Sequence, residues 1–471
     1  MSVMTASLGS GLGRRTTAAL AAVAISGVVG VIVTAVSPYV ILAVSAGVIV
    51  VPLVVHWPRA GIAFLLVASP LTHGVSVLLG HPEISMWKDF ALIALAVGAL
   101  PGLVLSHRFK TGSTWVTALL VGYAVWILVP RGESSLLAYL FGIKIALLAA
   151  ALYFLVVNYP FERKHLQRLL DAWFVIAAVV AAFGLVQMLV PPDTLIAWGF
   201  VNGQEVRWVS GQLRIFSSFN DPFSFASYLG LSLTMFLMAG SHLRARFGNP
   251  SYFGVLVLIG AAFLFTWTRS AWLGLIVALI FLGVWSRGSN RAVAFGGLSL
   301  IAVALTVVPS GLAGPIASPT TDRSVVTRLD VWGEAMQQVE RVPLGYGVGT
   351  VGAAAEKSLT FSGQQAAGRY NPVDSQYVLV LYELGFPGLI IFVALWGSMV
   401  FHGLRRVELE GDELVRRFLL GCVTGVVFLA AGGIARSTWE EFPAVLFAWA
   451  YLGFVFSRPN PGGMARSEVS G

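Results

Sequence analysis

Long apolar runs recur along this chain, separated by short polar gaps, and they limit what it can fold into more than any other feature. They lie near 17–36, 39–55, 61–79, 89–105, 114–129, 137–157, 171–190, 220–240, 252–268, 270–286, 292–310, 373–402, 418–435 and 440–457. A helix needs roughly twenty apolar residues to cross the hydrocarbon layer of a bilayer. The runs are continuous, whereas a lipid-facing barrel strand alternates apolar and polar positions. The sequence therefore predicts an all-α fold, a polytopic membrane helix bundle of about 14 transmembrane helices. Composition agrees: 57% of the 471 residues are apolar and 11% are charged. A soluble chain of this length has too little interior to hide so much apolar surface. Residues 1–471 read as one integral membrane domain.

Charge sets the orientation. Arg14 and Arg15 precede the first run, which is too long for a signal peptide and reads as the first membrane helix. With that helix starting inside, the cytoplasmic gaps carry eighteen of the 30 Lys and Arg. The short outer gaps and outer helix ends carry seven: Lys88, Arg131, Lys144, Arg207, Arg214, Arg269 and Arg436. This bias follows the positive-inside rule and places both termini in the cytoplasm, in the cytoplasmic membrane. The net charge of +8 is scattered between apolar runs. It fits contact with anionic membrane lipid rather than nucleic acid.

Two outer segments are long, about 191–219 and 310–372. Inside the second, residues 326–339 put Leu329, Trp332, Met336 and Val339 on one helical face, an amphipathic helix resting on the membrane. Arg328 shares a side of that helix with Trp332. Pro343 stops it, and Gly347, Gly349 and Gly352 then form a G-x-G-x-x-G. No strand–turn–helix surrounds these glycines, so a nucleotide loop is excluded. They read as a tight turn whose backbone N–H groups are free to meet a phosphate. The tail from about 459 to 471 reads as disordered.

Charges near membrane depth mark candidate function. Lys144 lies about two helical turns inside the outer end of its run, where it either snorkels to the interface or serves a site. Arg269 occupies a turn between two apolar runs with almost no loop, which favours a buried or cavity-facing guanidinium. Asp221 opens the run after Arg214 and reads as a helix N-cap. Asp374 begins the helix that follows the long outer loop. It reads equally as an N-cap and as a carboxylate able to accept a proton. Cys422, the one cysteine, has no partner for a disulfide. The seven His form no ligand-like cluster, so neither a metal nor another cofactor is called for.

Four stretches resemble the superfamily of O-antigen ligases and polymerases. They are RIFSSFNDPFSFASY from Arg214, TWTRSAWLGL from Thr266, TRLDVWGEAMQQVERVPLGYGVG from Thr327 and VDSQYVLVLYELGFPGL from Val373. Their order, with the large outer loop before the third-last helix, is more specific than any one motif. The resemblance implies a metal-independent glycosyltransferase at the outer face of the membrane, acting in surface polysaccharide biosynthesis. Its donor would be a glycan on a polyprenyl diphosphate. Other polysaccharide export proteins are possible partners. By resemblance Arg214, Arg269 and Arg328 hold the diphosphate, and Lys144 is placed with them. Catalysis falls to Asp374, Arg328 and Arg269. Ligases commonly carry His-Asn where this chain has Asp374-Ser375, which leans the reading toward a polymerase or related transferase.

The chemistry is coherent. A diphosphate leaving group needs concentrated positive charge, and arginine contacts phosphate oxygens in pairs without losing its proton. The alternative is a membrane transporter for a small anion or solute. Paired halves with broken helices would favour it, and the sequence has no such symmetry.

Overall fold

The computed structural model describes residues 56–131, 134–209, 211–285, 297, 323–361 and 374–457. The expected runs 17–36, 39–55 and 292–310 and the tail lie outside these residues. Within them the chain is mainly helical, with almost no strand. The helices are α1 (Pro58–Ala68), α2 (Thr72–Leu78), α3 (Trp87–Leu105), α4 (Thr114–Leu128), α5 (Leu136–Leu147), α6 (Ala151–Asn158), α7 (Arg163–Val186) and α8 (Pro192–Ala197). They continue as α9 (Pro222–Met238), α10 (Gly240–Phe247), α11 (Asn249–Phe265), α12 (Arg269–Trp285), α13 (Arg323–Arg341), α14 (Gly352–Phe361), α15 (Gln376–Leu409), α16 (Glu413–Gly432) and α17 (Ala444–Phe456). A two-stranded antiparallel hairpin, β1 (Arg207–Val209) and β2 (Gln212–Arg214), pairs Arg207 with Arg214.

Six spans among the described residues are long and apolar enough to cross a membrane: Pro58–Leu78, Ile84–Leu105, Leu136–Asn158, Arg163–Leu189, Gln376–Leu409 and Glu413–Gly432. Pro222–Met238 and Gly240–Phe247 make a further pair, bent by 84°. The expected runs at 114–129, 252–268, 270–286 and 440–457 each hold a shorter apolar helix of 13 to 17 residues.

Buried α16 sits at the middle of the bundle, packed by α9, α12, α15 and α17. Small residues allow this: a Cβ on Gly274 would come within 2.7 Å of the Phe428 carbonyl oxygen, and one on Gly230 within 2.1 Å of its ring. Membrane helices associate through such small-residue contacts, because lipid gives no hydrophobic drive between them.

One helix is broken, and the break positions the site. In α15, Gly385 takes φ 67° and ψ −170°, and Pro387 follows with no N–H to donate. This would orphan the carbonyls of Tyr382, Glu383 and Leu384. Tyr346 N–H donates to the first at 3.0 Å and Gly347 N–H to the second at 2.8 Å. Trp126 Nε1 donates to the third at 2.7 Å. Phe386 N–H in turn finds the Pro343 carbonyl at 3.1 Å. The segment after α13 is thus zipped onto the broken helix. The interlocking is tight: a Cβ on Gly345 would sit 2.4 Å from Gly385 N, and Gly345 has φ +83°.

Helix α13 exists as predicted, and its apolar residues have two kinds of surroundings. Ala335 and Val339 are buried, whereas Leu329 and Met336 are exposed. The packing of α13 on α15 selects the narrower 335/339 stripe. The wider apolar face expected from periodicity is therefore split between core and surface.

Candidate active site

The hairpin delivers Arg214 to one end of the bundle. Its Nε donates to the Thr266 carbonyl and its Nη2 to Thr268 Oγ1, both at 3.0 Å. The acceptors belong to the turn between α11 and α12, where Trp267 takes φ 52°. A bulky residue in that region stores strain, typically of about 1–3 kcal/mol, which the surroundings must hold in place. The Thr-Trp-Thr-Arg stretch is therefore a cradle for Arg214. Arg214 is buried, and no carboxylate lies within ion-pair distance of it among the described residues. Burial and the nearby charges of Arg207, Arg436 and Arg269, opposed by Asp221, pull its pKa down to about 10. It remains a cation at neutral pH, without a counter-ion in contact.

Phe223, in the first turn of α9, forms the floor. The Arg214 guanidinium lies 4.4 Å from its ring centroid and that of Arg436 lies 4.0 Å away. Two guanidiniums sharing one ring would repel strongly without anions nearby. Arg436 has such anions: its Nε donates to Glu441 Oε1 at 2.7 Å and its Nη1 to Asp374 Oδ1 at 3.3 Å. Burial disfavours its charge, but Glu441, Asp221 and Asp374 outweigh that and raise its pKa. Glu441 also accepts from Ser227 Oγ at 2.7 Å, which ties the group to α9.

Asp374 bridges two cations. Its Oδ2 lies 3.5 Å from Arg328 Nε, opposite the contact with Arg436. It is not the N-cap of α15. Ser375 is, its hydroxyl accepting from Val378 N–H at 3.5 Å. The cap reading is corrected because the extended backbone at Ser375 brings its own short side chain over the first turn. Asp221 does cap α9, accepting from Ser224 N–H at 2.7 Å.

Arg269 is the first residue of α12 and is exposed rather than buried. The turn points it outward because Arg214 already fills the inner side. Its charge still acts on Arg214. Arg214, Arg269, Arg328 and Asp374 therefore share one neighbourhood, joined through Arg436. Lys144 belongs elsewhere: its Nζ lies 2.5 Å from Asp89 Oδ2, beside Lys88. Arg436 was counted among the outer charges but not singled out. Its signal was a short gap between two apolar runs holding one arginine and two adjacent glutamates.

The glycine fingerprint also changes meaning. Gly349 N–H donates to Glu383 Oε1 at 2.8 Å and Val351 N–H to the same oxygen at 3.3 Å. The acceptor in this nest is a side chain of α15, so the loop is not open to a phosphate. Glu383 and Glu440 line a cavity of about 40 Å³ with Tyr123, Gln376 and Trp439. No set of metal-ligating side chains occurs among the described residues.

Residues 254–393 match the family model described as O-antigen ligase. The stretch contains Arg269, Arg328, Asp374 and the zipped segments around Gly345 and Gly385. Arg214, Arg436 and Lys144 lie outside it. A comparison with curated proteins finds no match.

Proposed function

With the O-antigen ligase superfamily as premise, we propose that this multi-pass membrane protein is a glycosyltransferase. It moves a glycan from a polyprenyl diphosphate to an acceptor hydroxyl at the outer face of the cytoplasmic membrane. The observation that carries the reading is Arg214, a buried guanidinium with no counter-ion in contact among the described residues, stacked beside Arg436 on Phe223. Such a pair suits the diphosphate of a leaving lipid, whose negative charge grows as the sugar C–O bond breaks. Arg328 adds a third guanidinium, with Arg269 at the rim.

Asp374 is the proton acceptor of this scheme. Its oxygens are held by Arg328 and Arg436 before the substrate arrives. A diphosphate entering between the arginines takes over guanidinium contacts and frees a carboxylate oxygen. That oxygen accepts the acceptor hydroxyl's proton as the new glycosidic bond forms and the lipid diphosphate departs. Polymerisation and ligation differ only in the lipid bearing the acceptor.

The test is transfer in vitro with purified protein and a lipid-linked glycan. Arg214→Gln removes the counter-ion-free charge and is expected to lower the rate by at least about a hundredfold, the scale of one lost transition-state donor. A rate within about threefold of wild type would defeat the role given to Arg214.

A further inference from the structure

Lys144 stands outside the arginine cluster, in a second basic group. Asp89 Oδ2 is shared by Lys144 at 2.5 Å and Lys88 at 3.6 Å. Lys88 Nζ also lies 4.7 Å from the Phe442 ring centroid. Lys357, on α14, adds a third ammonium: the charges of Lys144, Glu440, Asp89 and its neighbour Glu356 all act on it. It makes no ion pair among the described residues. Glu440 accepts from Ala353 N–H at 3.3 Å, so the start of α14 already has its acceptor. Three ammonium groups therefore face Asp89, Glu440 and Glu356, of which only Asp89 lies within ion-pair distance of any of them among the described residues. Burial pushes Glu440 up to about 7, which lowers its share of the negative charge near neutrality.

The group is open to solvent. Lys144 is 40% exposed, Lys88 19% and Asp89 17%. Lys357 is exposed as well. A set of ammoniums that served only to hold helices together would each have a carboxylate of its own. Here two share one oxygen and the third has none within ion-pair reach.

The strap between α16 and α17 relates the two basic groups. Arg436 and Glu441 face the arginines, while Glu440 and Phe442 face the lysines. Glu441 pairs with Arg436, and Glu440 feels both Lys357 and Arg436, so one short segment lies against both cationic lobes.

We propose that Lys88, Lys144 and Lys357 form a second anion subsite, which takes the phosphate or diphosphate headgroup of the second lipid-linked substrate. It rests on the transferase reading for the identity of that lipid, though not for the anion. A reaction between two lipid-linked glycans brings two anionic headgroups to one protein. Separate lobes let both bind without sharing cations, and only the arginine lobe adjoins Asp374.

The experiment uses the full chain in lipid nanodiscs, titrated calorimetrically with farnesyl diphosphate and, separately, with inorganic pyrophosphate. Wild type is expected to bind two equivalents of farnesyl diphosphate. The pair Lys144→Gln and Lys357→Gln is expected to weaken one class of site by at least about tenfold, one charge-assisted contact's worth, and spare the other. Arg214→Gln is expected to do the reverse. The charge-keeping pair Lys144→Arg and Lys357→Arg retains both classes, which separates lost charge from lost folding. Lysine-lobe binding of farnesyl diphosphate at least about tenfold tighter than pyrophosphate supports a lipid occupant; equal binding overturns the lipid assignment. A single equivalent in wild type, or two unchanged classes in a glutamine pair of wild-type thermal stability, overturns the subsite. Failure of the transferase reading appears separately, as no glycan transfer by wild type that still binds both equivalents.

Discussion

Asp374→Asn separates positioning from proton transfer with almost no change in shape. Asp374 is 29% exposed and touches Arg436 at 3.3 Å and Arg328 at 3.5 Å. Both contacts are longer than the roughly 2.8 Å of a strong charge-assisted bond, so each is worth about 1 kcal/mol. Asparagine keeps an oxygen for one of them. Positioning alone therefore costs about 1–2 kcal/mol, or about 5- to 30-fold in rate. Removing a general base costs about 10²- to 10⁴-fold. The two ranges do not overlap. The assay is transfer product per amount of folded protein, with melting temperature recorded alongside. The expected result is a loss beyond about a hundredfold with little change in melting, because asparagine preserves the local fold. Product within about thirtyfold of wild type would refute the reasoning and leave Asp374 as a clamp for the two arginines.

Three further outcomes are expected. Gly385→Ala places a Cβ 2.2 Å from the Pro343 carbonyl oxygen at φ +67°; it should lose about 3 kcal/mol or more through strain and unzipping, seen as a lower melting temperature and faster proteolysis after Arg341. Glu440 has its pKa raised to about 7 from 4.5. The folded chain therefore holds a proton that the unfolded chain releases, and stability falls as pH rises from about 4.5 to about 7, by at most about 3 kcal/mol. Glu440→Gln should flatten that part of the melting-versus-pH curve, and an unchanged curve would exclude Glu440 as its source. A cysteine placed at exposed Leu344, with Cys422 replaced, should react with a membrane-impermeant thiol reagent in intact cells; labelling only after lysis would reverse the orientation.

The spacing of apolar runs was enough to determine a helical bundle of membrane-crossing dimensions. Burial in lipid demands long uninterrupted stretches whatever their partners, so the signal is local. Asp221 as a cap was legible for the same reason, since the N–H it accepts from lies three residues away. The motifs from Thr266, Thr327 and Val373 fall wholly inside the stretch that matches the O-antigen ligase model, so that likeness too could be read from short segments. Tertiary structure alone decided what those segments do to one another. Nothing local says that the Gly-rich loop carries the anion nest for Glu383, because its partner lies 34 residues further on. Arg436 joins Asp374 across 62 residues, and Arg214 finds its cradle 52 residues away. Lys144 and Arg214 look alike in sequence, as lone basic residues near apolar runs. They enter different lobes because Lys144 pairs with Asp89 whereas Arg214 bonds to the turn at Thr266 and Thr268. Charge clusters are assembled by long-range packing, and a sequence fixes only which residues are available to enter them.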